Sequence, residues 1–435
     1  MSFGEFVRRQ HEAGNLVVQP RMGIAEPSLM RQGLWATKRA TARTVGTITL
    51  DSYTRVGDLE SVDQALREGL DLNGYPIVSH DPDTTRRMIA GIAGDDFPIQ
   101  VRHGSAQPSR IVESLCRCGL HATEGGPVSY CLPYGRTSLD DSLRDWTRSC
   151  GILVRLRDTG VEPHLETFGG CMMGQLCPPS MLIAISVLEA LYFRAMGLRS
   201  ISVSYAQQTN AEQDHEAVRA LRSLCEDLLP DVDWHVVIYT YMGLYPRTPE
   251  GARGLLANAA RLAVETGSER LIVKTVAEAF RLPTIAENVE AMELAATVSA
   301  QSAPATSAAG ERGELYQEAY ALIDAVLNLG PDVGRSLVDA FKRGLLDIPY
   351  CLHPNNAGRS RSYLDSDGCI RWAELGSLPL RHLVGRERHE VLTARGLVST
   401  LSYVQRTFDT SAAIGEPSPS DNGPKPLEPT LRTPS

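Results

Sequence analysis

The sequence predicts a (β/α)8 TIM barrel followed by a C-terminal α+β extension. Three observations lead to this fold class. Short runs rich in β-branched residues alternate with helical patterns through much of the chain. Arginine follows closely on three of these runs, and parallel barrels place charged side chains at the carboxyl ends of their strands. The chain of 435 residues is also long enough for one large barrel and an appended region.

The candidate strands are nine short segments, one more than the eight positions of the barrel. We therefore expect one of them to form a surface ribbon or an irregular loop. In chain order they read NLVVQPR, RTVGTITL, YPIVSH, FPIQVR, EGGPVSY, VEPHLETF, SISVSYA, WHVVIYTY and RLIVKT.

Two helices between and after these strands have recognisable ends. The segment SMLIAISVLEALYFRAMG is apolar on most faces, so we expect it to be deeply packed, with Ser180 as its N-cap and Gly197 as its stop. After the last strand, Thr284 and Glu287 have the spacing of a capping box at the start of the next helix.

Composition suggests where the barrel ends. The small and polar segment AQSAPATSAAGER is typical of a mobile connection, so we assign residues 1–300 to the catalytic barrel and 301–410 to an extension packed on it. Residues 411–435 hold six prolines and almost no large apolar side chain. That composition predicts a disordered tail.

Charge and cysteine content exclude several classes of protein. The formal net charge is −9, and no basic run is long enough to form a nucleic-acid-binding stripe. No apolar stretch approaches the roughly 20 residues of a membrane span, and the N-terminus lacks the apolar core of a signal peptide. Nine cysteines without a pairing pattern suit a reducing compartment. We therefore expect a soluble, cytoplasmic protein without nucleic-acid or membrane partners.

Three arginines are the first candidate binding residues. Arg21, Arg55 and Arg102 end the segments VVQPR, TITLDSYTR and FPIQVR. Three guanidinium groups at one end of a barrel would repel one another unless a ligand with about two negative charges lay among them. The pattern is compatible either with a small dianionic substrate or with three separate salt bridges.

A second group of candidate residues lies in EGGPVSYCLPY, which brings Glu124, Tyr130 and Tyr134 close together in sequence. Together with RHG at 102–104, ETFGG, QLCPPS, LIVKTVAEA, DIPY, NNAG and DGCIRWAELG, this segment resembles the large catalytic epsilon subunit of glutamate mutase, also called methylaspartate mutase, which depends on coenzyme B12. The resemblance extends from about residue 15 to about residue 385.

The resemblance implies a radical carbon-skeleton mutase, an isomerase that interconverts L-glutamate and (2S,3S)-3-methyl-L-aspartate through glycyl radical and acrylate fragments. The three arginines match the family residues that bind both substrate carboxylates. The match at Glu124 implies a base or electrostatic partner facing the substrate amino group, flanked by Tyr130 and Tyr134. The chain departs from the family at Pro127, where a third glycine is usual, and at 239–241, where histidine, glutamine and tryptophan are usual.

The cofactor implied by the resemblance is adenosylcobalamin. Lys274 and Glu278 match residues that bond the ribose of its adenosyl group, and Gly23 and Asn73 match others lining the adenosyl pocket. Sequence spacing alone leaves two other roles open for Lys274. It could form an ordinary i,i+4 ion pair with Glu278, or it could be the Schiff-base lysine of an aldolase-type barrel.

The partner implied by the resemblance is a small sigma subunit. In this family a D-x-H-x-x-G motif supplies the histidine below cobalt, and the nearest segment here, Asp233 to Ile238, lacks the glycine. We therefore expect the small subunit to hold most of the corrin, and a homodimer of this chain to lie within a heterotetramer. We expect no metal site formed by this chain's own residues.

Other functions remain compatible with the sequence. One is a related cobalamin mutase acting on another amino acid in secondary metabolism. Another is a non-catalytic subunit that binds an amino acid or a partner, although the full set of matched residues argues against it. The third is the aldolase-type barrel that would use Lys274.

Overall fold

The computed structural model describes residues 1–133, 135–172, 176–303, 312–385 and 393–414. Its centre is one sheet of nine strands, in which every neighbouring pair is parallel. The strands are β1 (Val17–Gln19), β2 (Arg43–Thr44), β3 (Gly46–Thr49), β4 (Ile99–Arg102), β5 (Ala122–Glu124), β6 (His164–Glu166), β7 (Ser200–Ala206), β8 (Asp233–Tyr239) and β9 (Arg270–Ile272).

The sheet is a barrel because its two ends belong to one stretch of chain. The strand order is β2-β1-β9-β8-β7-β6-β5-β4-β3, and only Val45 separates β2 from β3. The first half of this interrupted strand pairs with β1 and the second half with β4. The interrupted strand therefore counts as one position, which confirms the predicted eight-position barrel.

The surplus strand candidate is YPIVSH. Only Tyr75 makes a bridge, to Leu50, and residues 77–79 form a turn. The fifth strand ends at Glu124, so the residues that follow it in EGGPVSY form the turns of a loop. Both segments have apolar residues for burial, but their prolines and glycines prevent a continuous ladder.

Helices surround the barrel and connect its strands. Helix α8 is buried from Pro179 to Phe193, which confirms the deep packing predicted for the apolar helix, and the capping box of Thr284 and Glu287 is present at the start of α11. The helices are α1 (Phe3–Glu12), α2 (Pro27–Arg39), α3 (Ser52–Val56), α4 (Leu59–Glu68), α5 (Pro82–Ile89), α6 (Ser109–Arg117), α7 (Leu139–Val154), α8 (Pro179–Ala195), α9 (Ala211–Leu228), α10 (Pro249–Glu265), α11 (Ile285–Gln301), α12 (Glu314–Leu327), α13 (Val333–Arg343), α14 (Ala394–Leu401) and α15 (Tyr403–Ile414).

The prediction that Ser180 caps α8 is wrong. The N-cap residue is Pro178, and Ser180 lies inside the first turn. Its hydroxyl donates to the carboxylate of Glu318 at 2.5 Å and accepts from the indole N–H of Trp372 at 3.3 Å. A distant part of the chain therefore uses the side chain that local sequence assigned to the cap. The expected helix end is confirmed, since Gly197 follows α8 with a φ of +96°.

The amino-terminal end of the barrel is closed by α1. Phe3 stacks on His164 with ring centroids 4.8 Å apart, and the guanidinium of Arg270 lies 5.0 Å from the Phe3 ring. Helix α1 and Phe3 form the floor of the barrel. Above this floor, Arg270 forms an ion pair with Glu166 in which both side chains are fully buried. The mouth of the barrel is the end at which the carboxyl ends of the strands lie. The barrel interior beneath this mouth is thus polar.

The carboxyl-terminal elements pack on one side of the barrel. Helix α12 lies on α8 and α9, α13 lies on α8 and α7, and α15 lies on α10. Two antiparallel strands, β10 (Arg361–Leu364) and β11 (Ile370–Glu374), form a separate ribbon. Helix α15 continues through residue 414, into the range assigned to the tail, and 415–435 fall outside the described residues. No helix among the described residues is long and apolar enough to cross a membrane.

Candidate functional site

The barrel topology brings two of the three arginines to strand ends. Arg102 is the last residue of β4, and Arg21 follows the end of β1. Arg55 lies instead in the short helix α3, which follows β3. Because all barrel strands are parallel, the segments that follow them project at the same end, and the three arginines belong to the mouth.

Arg102 and Glu124 form the buried centre of the site. The Nε of Arg102 donates to Oε2 of Glu124 at 2.7 Å, and both side chains are at most 6% exposed. The hydroxyl of Tyr130 donates to the other carboxylate oxygen. Burial acts to lower the pKa of Arg102, but Glu124 and the nearby phenols outweigh it and hold that pKa well above its usual value. Arg102 therefore stays charged.

Tyr239 joins this centre to the barrel floor. Its hydroxyl lies 2.8 Å from Oε2 of Glu124 and also hydrogen-bonds Glu166, while Nη2 of Arg102 donates to it at 3.1 Å. Burial raises the pKa of Tyr239 well above its usual value, so the phenol is neutral. One phenol proton serves two carboxylates, and Arg102 and Arg270 supply the compensating charges.

Lys274 and Glu278 meet Arg21 at the edge of the mouth. Oε1 of Glu278 lies 2.9 Å from Nζ of Lys274 and 3.0 Å from Nη1 of Arg21. Burial lowers the pKa of Lys274 to about 8, assisted by the positive charge of Arg21. Burial acts to raise the pKa of Glu278, but the two cations outweigh it and lower that pKa. The predicted Lys274–Glu278 contact exists, although a turn rather than a helix carries Glu278.

Arg55 has a different environment from the other two arginines. Its Nε donates to the carbonyl of Leu50 at 3.3 Å, and in the described ranges it has no carboxylate partner. It lies beside Gly104, whose φ of +68° lets the backbone turn against the arginine side chain. Burial lowers the pKa of His103 to about 3, and Arg55 adds to this effect. The side chain of Arg55 is therefore available to an external anion.

The charges at the mouth do not balance. Arg55 has no carboxylate partner within the described segments, and Arg21 shares its partner with Lys274. Among the candidate residues that the structure describes, two positive charges are left over, and the one further buried carboxylate at the start of α3, Asp51, bonds Thr54 rather than an arginine. The four cations are Arg21, Arg55, Arg102 and Lys274, and the two carboxylates are Glu124 and Glu278.

Gly23 and Asn73 both lie against the chain that leaves β3. A Cβ atom at Gly23 would overlap the carbonyl oxygen of Thr49, so a structural reason for glycine exists there. Oδ1 of Asn73 accepts from the backbone N–H of Ser52 at 2.9 Å, at the start of α3. The role of both residues toward a cofactor stays a prediction, and Tyr134 lies outside the described residues.

Sequence reasoning missed the residues beneath the arginines. Glu166 accepts from Arg270, from Ser202 at 3.0 Å and from Gln100 at 3.1 Å. Alternation along β4 and β6 could have identified them, because Gln100 and Glu166 share the inward side with Arg102 and His164. In the sequence, Tyr239 stands out only as a departure from the family pattern.

The incomplete cobalt motif is part of the barrel wall. His235 belongs to β8, is buried, and stacks on His164 with ring centroids 5.2 Å apart. It also accepts a hydrogen bond from Nε of Arg270 at 3.3 Å. His235 is therefore fixed within the barrel wall.

Comparison with known proteins adds the family. The family model of the methylaspartate mutase E chain matches residues 1–416. The glutamate mutase epsilon subunit of Halobacterium salinarum is 31% identical over 347 residues, covering 76% of this chain and 71% of the relative. The glutamate mutase epsilon subunit of Yersinia enterocolitica is 28% identical over 412 residues, covering 90% of this chain and 84% of the relative.

Two solved structures show distant similarity. A putative phosphonomutase from Burkholderia cenocepacia has a TM-score of 0.34 at 13% identity, covering 62% of this chain and 91% of that protein. The YdjI aldolase from Escherichia coli K12 also has a TM-score of 0.34, at 12% identity, covering 69% of this chain and 95% of that protein. These values are too low to carry an argument about function. The family match covers nearly the whole chain, and the chain belongs to the family of the methylaspartate mutase E chain.

Proposed function

We propose that this chain is the catalytic subunit of an adenosylcobalamin-dependent mutase that interconverts L-glutamate and 3-methyl-L-aspartate. The observation that carries the proposal is the pair of uncompensated positive charges at the mouth, in a chain whose relatives are glutamate mutase epsilon subunits. Both amino acids carry two carboxylates, each of which would pair with one of those positive charges.

The arginines would hold the two carboxylates at fixed positions. Arg55 has free donors for one carboxylate, and Arg102 is anchored by Glu124 so that its remaining donors point in a defined direction. The reaction is an isomerisation, in which a glycyl group and a hydrogen exchange places on neighbouring carbons. If the glycyl group separates from the rest of the substrate during this exchange, holding both fragments at fixed positions favours their recombination over their escape from the site.

Glu124 is the group best suited to face the substrate ammonium. Its carboxylate is 2% exposed and already accepts from Arg102, Tyr130 and Tyr239, so its position is well defined. A carboxylate with these donors remains a strong acceptor for a further cation. Tyr130 and Phe168, whose rings lie 4.8 Å apart, would exclude water from this side.

The residues at the edge of the mouth fit the adenosyl ribose. Lys274 is a donor and Glu278 an acceptor for vicinal hydroxyls, and the buried hydroxyl of nearby Tyr245 has no partner in the described part of the chain. When bound, adenosylcobalamin supplies the organic radical that removes hydrogen from the substrate. The work of this chain is to hold the adenosyl group next to the arginines and to exclude solvent.

A small cobalamin-binding subunit is the partner we propose for the mouth. The segments that follow β3 and β9 expose several large apolar side chains. Val56 is 78% exposed and Phe280 is 66% exposed. Together with Leu70 and Leu282 in the same two segments, they would be covered by a second protein that carries the corrin, within a heterotetramer.

Selectivity for two carboxylates provides the test. Ligand-observed NMR with the full chain should show binding of L-glutamate, while L-glutamine should bind about tenfold or more weakly because one charge-assisted pair is lost. Equal affinity for the two ligands would contradict the proposed substrate.

The burial of Lys274 favours a second candidate function. A buried lysine with a pKa of about 8 is partly unprotonated near neutral pH, as imine-forming aldolases require. Borohydride reduction in the presence of a carbonyl substrate, followed by mass spectrometry, would detect an adduct at Lys274. The ion pair with Glu278 favours the protonated lysine, so we expect no adduct.

A further inference from the structure

One buried carboxylate lies outside the proposed mechanism. Glu189 lies in the middle of the apolar helix α8, behind the loops that follow β5 and β6. Its side chain is fully buried, and within the described ranges no arginine or lysine pairs with it. A carboxylate in such a place is costly unless hydrogen bonds satisfy it.

Backbone groups from two loops satisfy this carboxylate. Oε1 accepts from the backbone N–H of Val128 at 3.2 Å and from that of Ser129 at 2.9 Å. Oε2 accepts from the Ser129 hydroxyl at 3.0 Å, from the N–H of Gly169 at 3.1 Å and from that of Phe168 at 3.4 Å. One side chain therefore joins the β5 loop to the β6 loop.

Both loops carry side chains of the candidate site. Tyr130, which donates to Glu124, directly follows Ser129 in the first loop. Phe168 in the second loop packs against Tyr130 at 4.8 Å and meets Tyr239 edge-on at 5.5 Å. The position of Glu189 thus determines where Tyr130 and the Phe168 ring stand relative to Glu124.

The β5 loop is shaped to approach this carboxylate closely. A Cβ atom at Gly126 would overlap Oε1 of Glu189, so only glycine permits the observed distance. Burial raises the pKa of Glu189 to about 7, opposed by the hydrogen bonds from Ser129, Phe168 and Val128. The carboxylate is therefore held against its own desolvation cost by the loop backbones.

We propose that Glu189 is a positioning residue, which fixes Tyr130 and Phe168 against the substrate by binding the backbone of both loops. The inference rests on the proposed function for the identity of the substrate. The effect of Glu189 on the order of the two loops concerns this chain's own residues, and it can be measured without turnover.

The direct test is hydrogen exchange of the full chain carrying Glu189→Gln. The amide keeps one oxygen acceptor but turns an NH2 group toward backbone donors, so some of these bonds are lost. Exchange at the amides of Ser129 and Gly169 should accelerate by about tenfold, the equivalent of one hydrogen bond to a charged group. Exchange equal to that of the unmodified protein would overturn the proposal.

A matched control is available in Glu318→Gln. Glu318 is also a buried carboxylate whose pKa burial raises to about 7, and it accepts from Ser180 and Trp372 away from both loops. This variant should leave exchange at Ser129 and Gly169 unchanged. If both variants accelerate it equally, a general loss of stability is responsible and the proposal is wrong.

Kinetics separate this inference from the proposed function. In the complex assembled with the small subunit, Glu189→Gln should raise the KM for L-glutamate by about tenfold with coenzyme affinity unchanged. An unchanged KM in a complex that turns over glutamate would overturn the positioning role alone. An unmodified complex without glutamate turnover would instead contradict the proposed function, and hydrogen exchange would still decide the role of Glu189.

A milder variant covers the case in which Glu189→Gln does not fold. Ser129→Ala removes only the hydroxyl donor to Oε2 and leaves the backbone donors in place. Exchange at Gly169 and the KM should change in the same direction, by about threefold. No change in either quantity would contradict the proposal.

Discussion

Replacing Arg102 with lysine tests the arginine cluster most sharply. The guanidinium donates from Nε to Glu124 at 2.7 Å and from Nη2 to Tyr239 at 3.1 Å, and it lies 5.0 Å from the Tyr239 ring. Lysine retains the charge, but its single ammonium group cannot reproduce this planar fork and also face a substrate carboxylate.

The expected loss follows from these contacts. If the ammonium stays with Glu124, one charge-assisted hydrogen bond to substrate disappears, which is worth about 1.5–3 kcal/mol. Affinity for L-glutamate in the assembled complex should fall by about tenfold to 150-fold, as measured by isothermal titration calorimetry. Coenzyme affinity should stay nearly constant because the contacts of Lys274 and Glu278 remain.

The control for Arg102→Lys is Arg222→Lys. Arg222 also forms a two-pronged pair, with Glu269 at 3.0 Å for both nitrogens, but it lies on α9 away from the mouth. The Arg222→Lys substitution should lower the free energy of unfolding without weakening glutamate binding. Equal glutamate affinities for Arg102→Lys and the unmodified protein would refute the role assigned to Arg102.

The remaining predictions concern the phenol and the lysine. Tyr239→Phe removes the hydroxyl shared by Glu124 and Glu166, and should lower the free energy of unfolding by about 1.5–3 kcal/mol in urea denaturation; an unchanged midpoint would contradict the hydrogen-bonded chain. Lys274→Met should weaken coenzyme binding because Glu278 loses a buried partner; unaltered binding by equilibrium dialysis would argue against the ribose assignment. The pKa of Lys274 is about 8 in the folded chain, below that of an unfolded lysine. The unfolded state therefore binds more protons between pH 8 and about 10.4, and the contribution of Lys274 to unfolding free energy should rise there by about 1.4 kcal/mol per pH unit. Below pH 8 this contribution should be constant. The measurement is the difference in unfolding free energy between the unmodified protein and Lys274→Met as a function of pH. If Lys274 titrates normally, this difference should show no slope between pH 8 and about 10.4.

The barrel could be predicted from local sequence patterns because a few neighbouring residues are enough to indicate most of its strands and helices. The β-branched runs identified the strands, and the spacing of Thr284 and Glu287 identified a helix start. Ser180 has the same local signature of a cap, yet its hydroxyl bonds Glu318, far along the chain. Long-range hydrogen bonds of this kind override local preference and are not visible in a single sequence.

The site was predictable as a set of residues but not as a set of contacts. Arg21 meets Glu278 across 257 positions, and Arg102 meets Tyr239 across 137. Such pairings depend on barrel closure, which sequence spacing cannot reveal. The position of Arg55 within α3 was also missed, because a five-residue helix has too little periodicity to detect.

We propose that this chain rearranges glutamate only together with adenosylcobalamin and a separate cobalamin-binding subunit. The most direct measurement is NMR of 13C-labelled L-glutamate incubated with the full chain, the small subunit and the coenzyme. We expect 3-methylaspartate in the complete mixture and none when any one component is omitted. Product formed by this chain and coenzyme without the small subunit, or no product from the complete mixture of folded proteins, would contradict it.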